Sequence, residues 1–178
     1  MPLTIRRNDL ALSISLAIGL LLTGRSAVGQ STYIWNGPTS GAVSWTTPSN
    51  WTADSSYPGS TSSVFDTATV GSNLNPTGAV TISAPTNLYL NAINFDQTAA
   101  AGGYTISGGT ITFGGTAPTI TVLTSGVTAT IASALVGSSG LTIAGLGTVA
   151  LTGFKNAYTG PTVVSSGTLQ IGNTVSVR

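Results

Sequence analysis

LTIAGLGTVALTG, residues 141–153, is followed after a short turn by PTVVSSGTLQIG, residues 161–172. In both stretches Val, Ile and Leu alternate with Thr, Ser or Ala, and Gly interrupts each run after a few positions. Val, Ile and Thr suit a pleated, half-buried surface. The alternation turns one set of side chains inward and leaves the hydroxyls outward. Glycine between the runs lets the chain reverse, often through positive φ. The same signature recurs upstream in AVTIS, LYLNAINF, YTISGGTITFGG and TITVLTSGVTATIA. No amphipathic helix is legible after the first thirty residues, so the chain reads as all-β.

A period accompanies the alternation. Ile111, Ile131, Leu151 and Ile171 stand twenty residues apart, as do Leu123, Ile143 and Val163, and again Ala129, Val149 and Leu169. A fixed period near twenty, with two or three short strands per unit, predicts a parallel β-solenoid. Each coil lays its strands on those of the coil before, and equivalent apolar residues form internal columns. The alternative is an antiparallel β-sandwich, which shares the same spacing of strands and turns.

Residues 30–78 differ in character. They hold all three tryptophans, Trp35, Trp45 and Trp51, in YIWNGPTSGAVSWTTPSNW. An open solenoid end exposes apolar residues and strand edges, so a first coil needs a cover. We read 30–78 as a Trp-rich N-terminal cap and 79–178 as the coils. The functional alternative makes the three tryptophans a glycan-stacking patch. A large apolar area favours the cap, and no cluster of charged groups accompanies the rings to orient a sugar.

Residues 1–29 follow the plan of a secretory signal. Arg6 and Arg7 precede an apolar run, Leu10–Leu22, and Ala27 and Gly29 stand at the small-residue positions before Gln30. An uncleaved N-terminal anchor is the alternative, although the run is shorter than the roughly 20 residues of a membrane span. Asp9 sits badly for twin-arginine export, which leaves the general route. Without 1–29 the chain keeps Lys155 and Arg178 against Asp54, Asp66 and Asp96, and so is nearly uncharged. That balance gives no electrostatic footprint for nucleic acid. The protein has no Cys, so stability outside the cell must come from packing and strand pairing.

The inventory is poor in chemistry. With no His, Cys or Glu, the usual general base, thiol nucleophile and soft metal ligands are missing. A Ser–Lys pair would have to use Lys155, in the turn GFKNAY, where exposure keeps an amine protonated. Asp54, Asp66 and Asp96 are too dispersed for paired-carboxylate hydrolysis or a calcium cluster. Asp66 and Asp96 read instead as turn or strand-end residues. Asn50-Trp51-Thr52 fits a glycosylation sequon. No catalytic residue, metal ligand or cofactor is expected.

The C-terminal LTGFKNAYTGPTVVSSGTLQIGN, residues 151–173, resembles the autotransporter-associated β-strand repeat, also called the passenger-associated repeat. The matching positions are Leu151, Thr152 and Gly153; Asn156; Tyr158, Thr159 and Gly160; Thr162, Val163 and Val164; Gly167, Thr168 and Leu169; and Ile171. Pro161 replaces a common Gly and stiffens the turn. Trp35-Asn36-Gly37, Trp45, Asn50-Trp51, Pro58 and Phe65-Asp66 resemble the start of large exported proteins that bear such repeats. The resemblance implies a right-handed parallel β-helix. It also implies a non-enzymatic structural or adhesive passenger-type module, secreted to a bacterial cell surface, whose partner is an unspecified surface or glycan. It assigns no catalytic residue. The rival functions are a carbohydrate-binding module using the tryptophans and a polysaccharide-degrading enzyme. Family members carry many repeats, and one clear copy is legible here. The sequence therefore reads as the N-terminal fragment of a longer protein, or as a chain that associates end to end through an open C-terminal coil.

Overall fold

The computed structural model describes residues 30–52, 55–72, 75–98 and 102–172. The expected signal, residues 1–29, and Asp54 and Arg178 lie outside these residues. Fourteen short strands follow one another: β1 (Thr32–Ile34), β2 (Gly41–Ser44), β3 (Asp66–Val70), β4 (Ala79–Ser83), β5 (Leu88–Phe95), β6 (Gly103–Ser107), β7 (Thr110–Phe113), β8 (Thr119–Val122), β9 (Thr128–Ile131), β10 (Ala134–Gly137), β11 (Leu141–Gly145), β12 (Thr148–Leu151), β13 (Thr162–Val164) and β14 (Thr168–Ile171). Among the described residues the only helix is a 3-10 turn, Pro48–Asn50. No helix there is long and apolar enough to cross a membrane.

Every pairing between these strands is parallel. One face of the column runs β2-β4-β6-β9-β12-β14, and a second runs β1-β3-β5-β8-β11-β13. A narrow third side is built by β7, which pairs with β10 and with the first half of β5. Beyond β10 it continues through Ala157 and Thr159, whose amides bond the carbonyls of Leu135 and Gly137 at 2.8 Å each. The protein is thus a parallel β-solenoid, and the antiparallel sandwich is excluded. Parallel sheets elsewhere hide both faces beneath helices. Here only the inner face is buried, and Thr and Ser solvate the outer one.

The columns are real, but two of the three predicted from the period need correction. Ala129, Val149 and Leu169 stack as expected. Leu151 lies between Ile131 and Ile171. The residue beyond Ile131 in that column is Ile106, and beyond it Ile82 and Val43. Ile111 belongs to the narrow side, between Leu88 and Leu135. The chain turns a corner between β6 and β7, which counting by twenty overlooks. Ile143 likewise packs between Ile120 and Val164, not between Leu123 and Val163. Leu123 sits on a corner and is 50% exposed, while Val163 pairs with outward-facing Thr142. The second face advances by 21 to 35 residues per coil because its turns vary in length.

The first coils are closed by the tryptophan segment. Trp35 extends β1 by bonding the Thr69 carbonyl at 2.8 Å, and Trp45 extends β2 by bonding that of Ser83 at 3.0 Å. The chain then folds back so that Trp51 bridges Trp35 in antiparallel fashion. Asn36 N–H donates to Asn50 O and Thr52 N–H to Ile34 O. This return covers the edge of β1 that β3 does not use, which removes a template for unwanted pairing. Because β1 and β2 already belong to the two main faces, residues 30–78 supply the first coil as well as its cover.

Two side chains with polar groups, Asp66 and Tyr104, are buried in these coils. Asp66, 4% exposed, opens β3. It accepts the amide of Ser31 at 3.0 Å and that of Gly59 at 2.9 Å. It therefore pins the chain start and the tryptophan loop to one strand. Tyr104, 1% exposed, stands in an inner column below Val80. Burial pushes its phenol up to about 12, and the Asp96 carboxylate adds to the rise. The folded state therefore favours the neutral phenol. Its contribution to stability is fully present below the ordinary tyrosine pKa of about 10 and is lost as pH rises from there to about 12. We expect the denaturation midpoint to fall across that window, and Tyr104→Phe to flatten the fall. Urea titrations at successive alkaline pH values, read by circular dichroism, check this.

Candidate functional site

The repeat residues singled out from the sequence are brought together, and each has a structural task. Leu151 is buried in its column. At Gly153 an added Cβ would lie 2.1 Å from the Ser133 carbonyl oxygen, so only glycine lets the coil pass. Asn156 replaces a missing backbone partner: its Oδ1 accepts the Leu135 amide at 2.9 Å, and its Nδ2 donates to Gly153 O at 3.4 Å. Tyr158 packs half-buried against the core, and its hydroxyl is 2.7 Å from Thr162 Oγ1. Thr159 bonds Gly137, Gly160 and Gly167 take positive φ, and Thr168 pairs with Thr148. Lys155 is an exposed turn residue with φ of 66°. The repeat thus consists of positions that make one coil fit another.

The three tryptophans do not form a glycan platform. Trp35, Trp45 and Trp51 are 1%, 0% and 0% exposed, so no ring face is available to stack on a sugar. Trp51 lies edge-on to Trp35 at 5.1 Å and tilted against Trp45 at 4.7 Å. Each indole N–H is bonded to a backbone oxygen: Trp35 to Pro38, Trp45 to Pro58 and Trp51 to Trp45. The sequon asparagine is engaged too, since Asn50 Nδ2 donates to Ser44 O at 3.1 Å. Asp66 and Asp96 stand at strand ends, at the start of β3 and just after β5. Among the described residues no three potential metal ligands gather.

What the molecule does present is an uncharged hydroxyl lattice. On the first face, Thr81, Thr105 and Thr130 occupy one outward column, Ser83 and Ser107 its neighbour, and Thr128, Thr148 and Thr168 a third. On the second face, Thr67, Thr119 and Thr142 share a column with Ala92, and Thr69, Asn94 and Thr121 form the next. Rungs of such a lattice repeat at about 4.8 Å across strands, and its columns at about 6.7 Å along them. The alternation in the sequence showed that hydroxyls face outward. It did not show which hydroxyls align, because turn lengths set that. A shallow depression of about 170 Å³, lined by Gln30, Ser63, Val64, Phe65, Gly115 and Thr116, opens near the capped end. Among the described residues nothing stacks beyond β13 and β14: Val164 is 47% and Ile171 75% exposed, although both continue inner columns.

The chain is a β-solenoid whose residues 141–171, running through β11 to β14, match the passenger-associated-transport-repeat family. Over 169 residues, 90% of its length, it is 35% identical to the adhesin BmaC autotransporter of Brucella suis biovar 1 (strain 1330). The chain spans only 5% of that relative. No solved structure matches it.

Proposed function

We propose that the protein is an exported, non-enzymatic module displayed at a bacterial surface, where it acts as a spacer and as an adhesive face. The supporting observation is the unbroken parallel stacking that carries an uncharged hydroxyl lattice along the column, in a chain similar to a segment of an autotransporter adhesin. Its mechanism is geometric. Each coil lengthens the column by about 4.8 Å, and its outer columns offer regularly spaced donors and acceptors to a glycan or protein surface. The test is display of the chain on a non-adherent bacterium, with retention measured on host cells and glycan arrays. We expect retention that a Thr105→Lys/Thr130→Lys pair removes while circular dichroism stays unchanged. Equal retention by the variant overturns the adhesive face. Turnover of a polysaccharide by purified chain overturns the non-enzymatic reading.

The open β13–β14 face belongs to the same proposal. Among the described residues β13 and β14 are the last strands of their sheets, and their outer edges, with exposed Val164 and Ile171, suit a second copy of this chain pairing edge to edge. Sedimentation is expected to show concentration-dependent dimers, and Ile171→Lys to give monomers with the same secondary structure. Monomers of the unaltered chain at high concentration overturn it.

A further inference from the structure

We propose that Gln30 is the first residue of the exported chain and closes to a pyroglutamyl ring, so that the capped end begins with a neutral lactam and not with an ammonium group. The inference rests on the export reading above. Three observations converge on Gln30. Small residues, Ala27 and Gly29, stand three and one positions before it. Among the described residues backbone capture starts at Ser31: its N–H donates to buried Asp66 at 3.0 Å, its carbonyl accepts from Thr67 N–H at 2.9 Å, and Thr32 opens β1. Gln30 itself is exposed, at the rim of the depression that contains Val64 and Phe65. A cut before Gln30 would therefore leave the entire first strand with one exposed residue ahead of its anchor.

An N-terminal glutamine carries its own electrophile. The α-amine nitrogen attacks the side-chain Cδ, and the new N–Cδ bond closes a five-membered ring. The Cδ–Nε2 bond breaks, a proton passes from the attacking nitrogen to the departing one, and ammonia leaves. No oxidant, reductant or co-substrate is required. The surroundings suit the product. The lining of the depression is uncharged. The lactam keeps one donor and one acceptor for water, and its methylenes match Val64 and Phe65. A ring at this position also denies aminopeptidases a free amine, beside the strand whose Asp66 contact holds the chain start.

The test uses the full chain expressed in an export-competent Gram-negative host and purified from outside the cytoplasm. Amines are labelled before digestion, so that cyclisation in the tube is not counted, and the N-terminal peptide is weighed. The expected peptide starts at residue 30, is lighter by one ammonia than its free-glutamine form, and carries no label. Pyroglutamyl aminopeptidase then exposes Ser31. Gln30→Ala is expected to start at the same position with a labelled amine and an unchanged circular dichroism spectrum. A labelled, uncyclised Gln30 overturns the inference and leaves export standing. A chain recovered there with residues 1–29 still attached overturns the inference and leaves export standing, and a chain found only in the cytoplasm overturns both.

Discussion

Trp51→Ala is expected to lower stability by about 4 kcal/mol, the largest effect of any single truncation in the protein. Trp51 has no exposed surface, and its ring is wedged between Trp35 and Trp45. Truncation removes the transfer energy of a large aromatic and leaves a cavity that two fixed indoles cannot close. It also strands the Trp45 carbonyl, which now accepts the Trp51 indole N–H at 2.8 Å, at a further cost of about 1 kcal/mol. The loss has a direction as well as a size. In a column, each coil leans chiefly on its neighbours, so a broken cap loosens the first coils before the last. Hydrogen exchange should therefore rise in β1, β2 and β3 while the amides of β9 and β12 keep their protection. Uniform loss of protection would show that the column melts as one unit. A change below about 1 kcal/mol would show that the tryptophans do not support the first coil.

The architecture was legible where the turns are constant. From β9 onward the first face advances by 20 residues per coil, and Ala129, Val149 and Leu169 could be stacked by counting. Upstream, the step between Ile82 and Ile106 is 24 and that between Ile106 and Ile131 is 25, because the connecting turns are longer. The extra residues shift Ile111 onto another side of the column. Alternation reports which side chains point inward, and it cannot report how many residues a corner uses. The tryptophans were open to two readings for a related reason. Composition places a large apolar ring at the chain start, and only the fold-back that joins Trp51 to Trp35 decides whether that ring faces solvent. Asp66 was anticipated at a strand end. Its link to Ser31 and Gly59 crosses 35 and 7 residues and leaves no local pattern. The hydroxyl lattice shows the same division: outward Thr and Ser were legible, and their alignment depended on register.

Gly153→Ala is expected to destabilise by about 3 kcal/mol, at the upper end of the usual cost of overpacking. The cause is steric and not conformational. Gly153 does not take positive φ, yet an added Cβ would meet Ser133 O at 2.1 Å and Ser133 C at 2.8 Å. Both contacts are backbone, so no rotamer change relieves them, and the coil must shift away from its neighbour. Two other glycines separate the effects. Gly126 has φ of +78° with nothing within 4 Å of its added Cβ, so Gly126→Ala is expected to cost only the left-handed penalty of about 1 kcal/mol. Gly172 has neither positive φ nor a neighbour within 4 Å, and Gly172→Ala is expected to be neutral. Urea unfolding of the three variants gives the ranking. If Gly153→Ala matched Gly172→Ala, coils could separate at that point without loss, and the glycine of the repeat would owe its place to something other than close stacking. If it matched Gly126→Ala, the clash would be relieved by local adjustment. The expected order instead ties one motif position to the physical condition that defines the fold: successive turns of backbone lying too close for a methyl group.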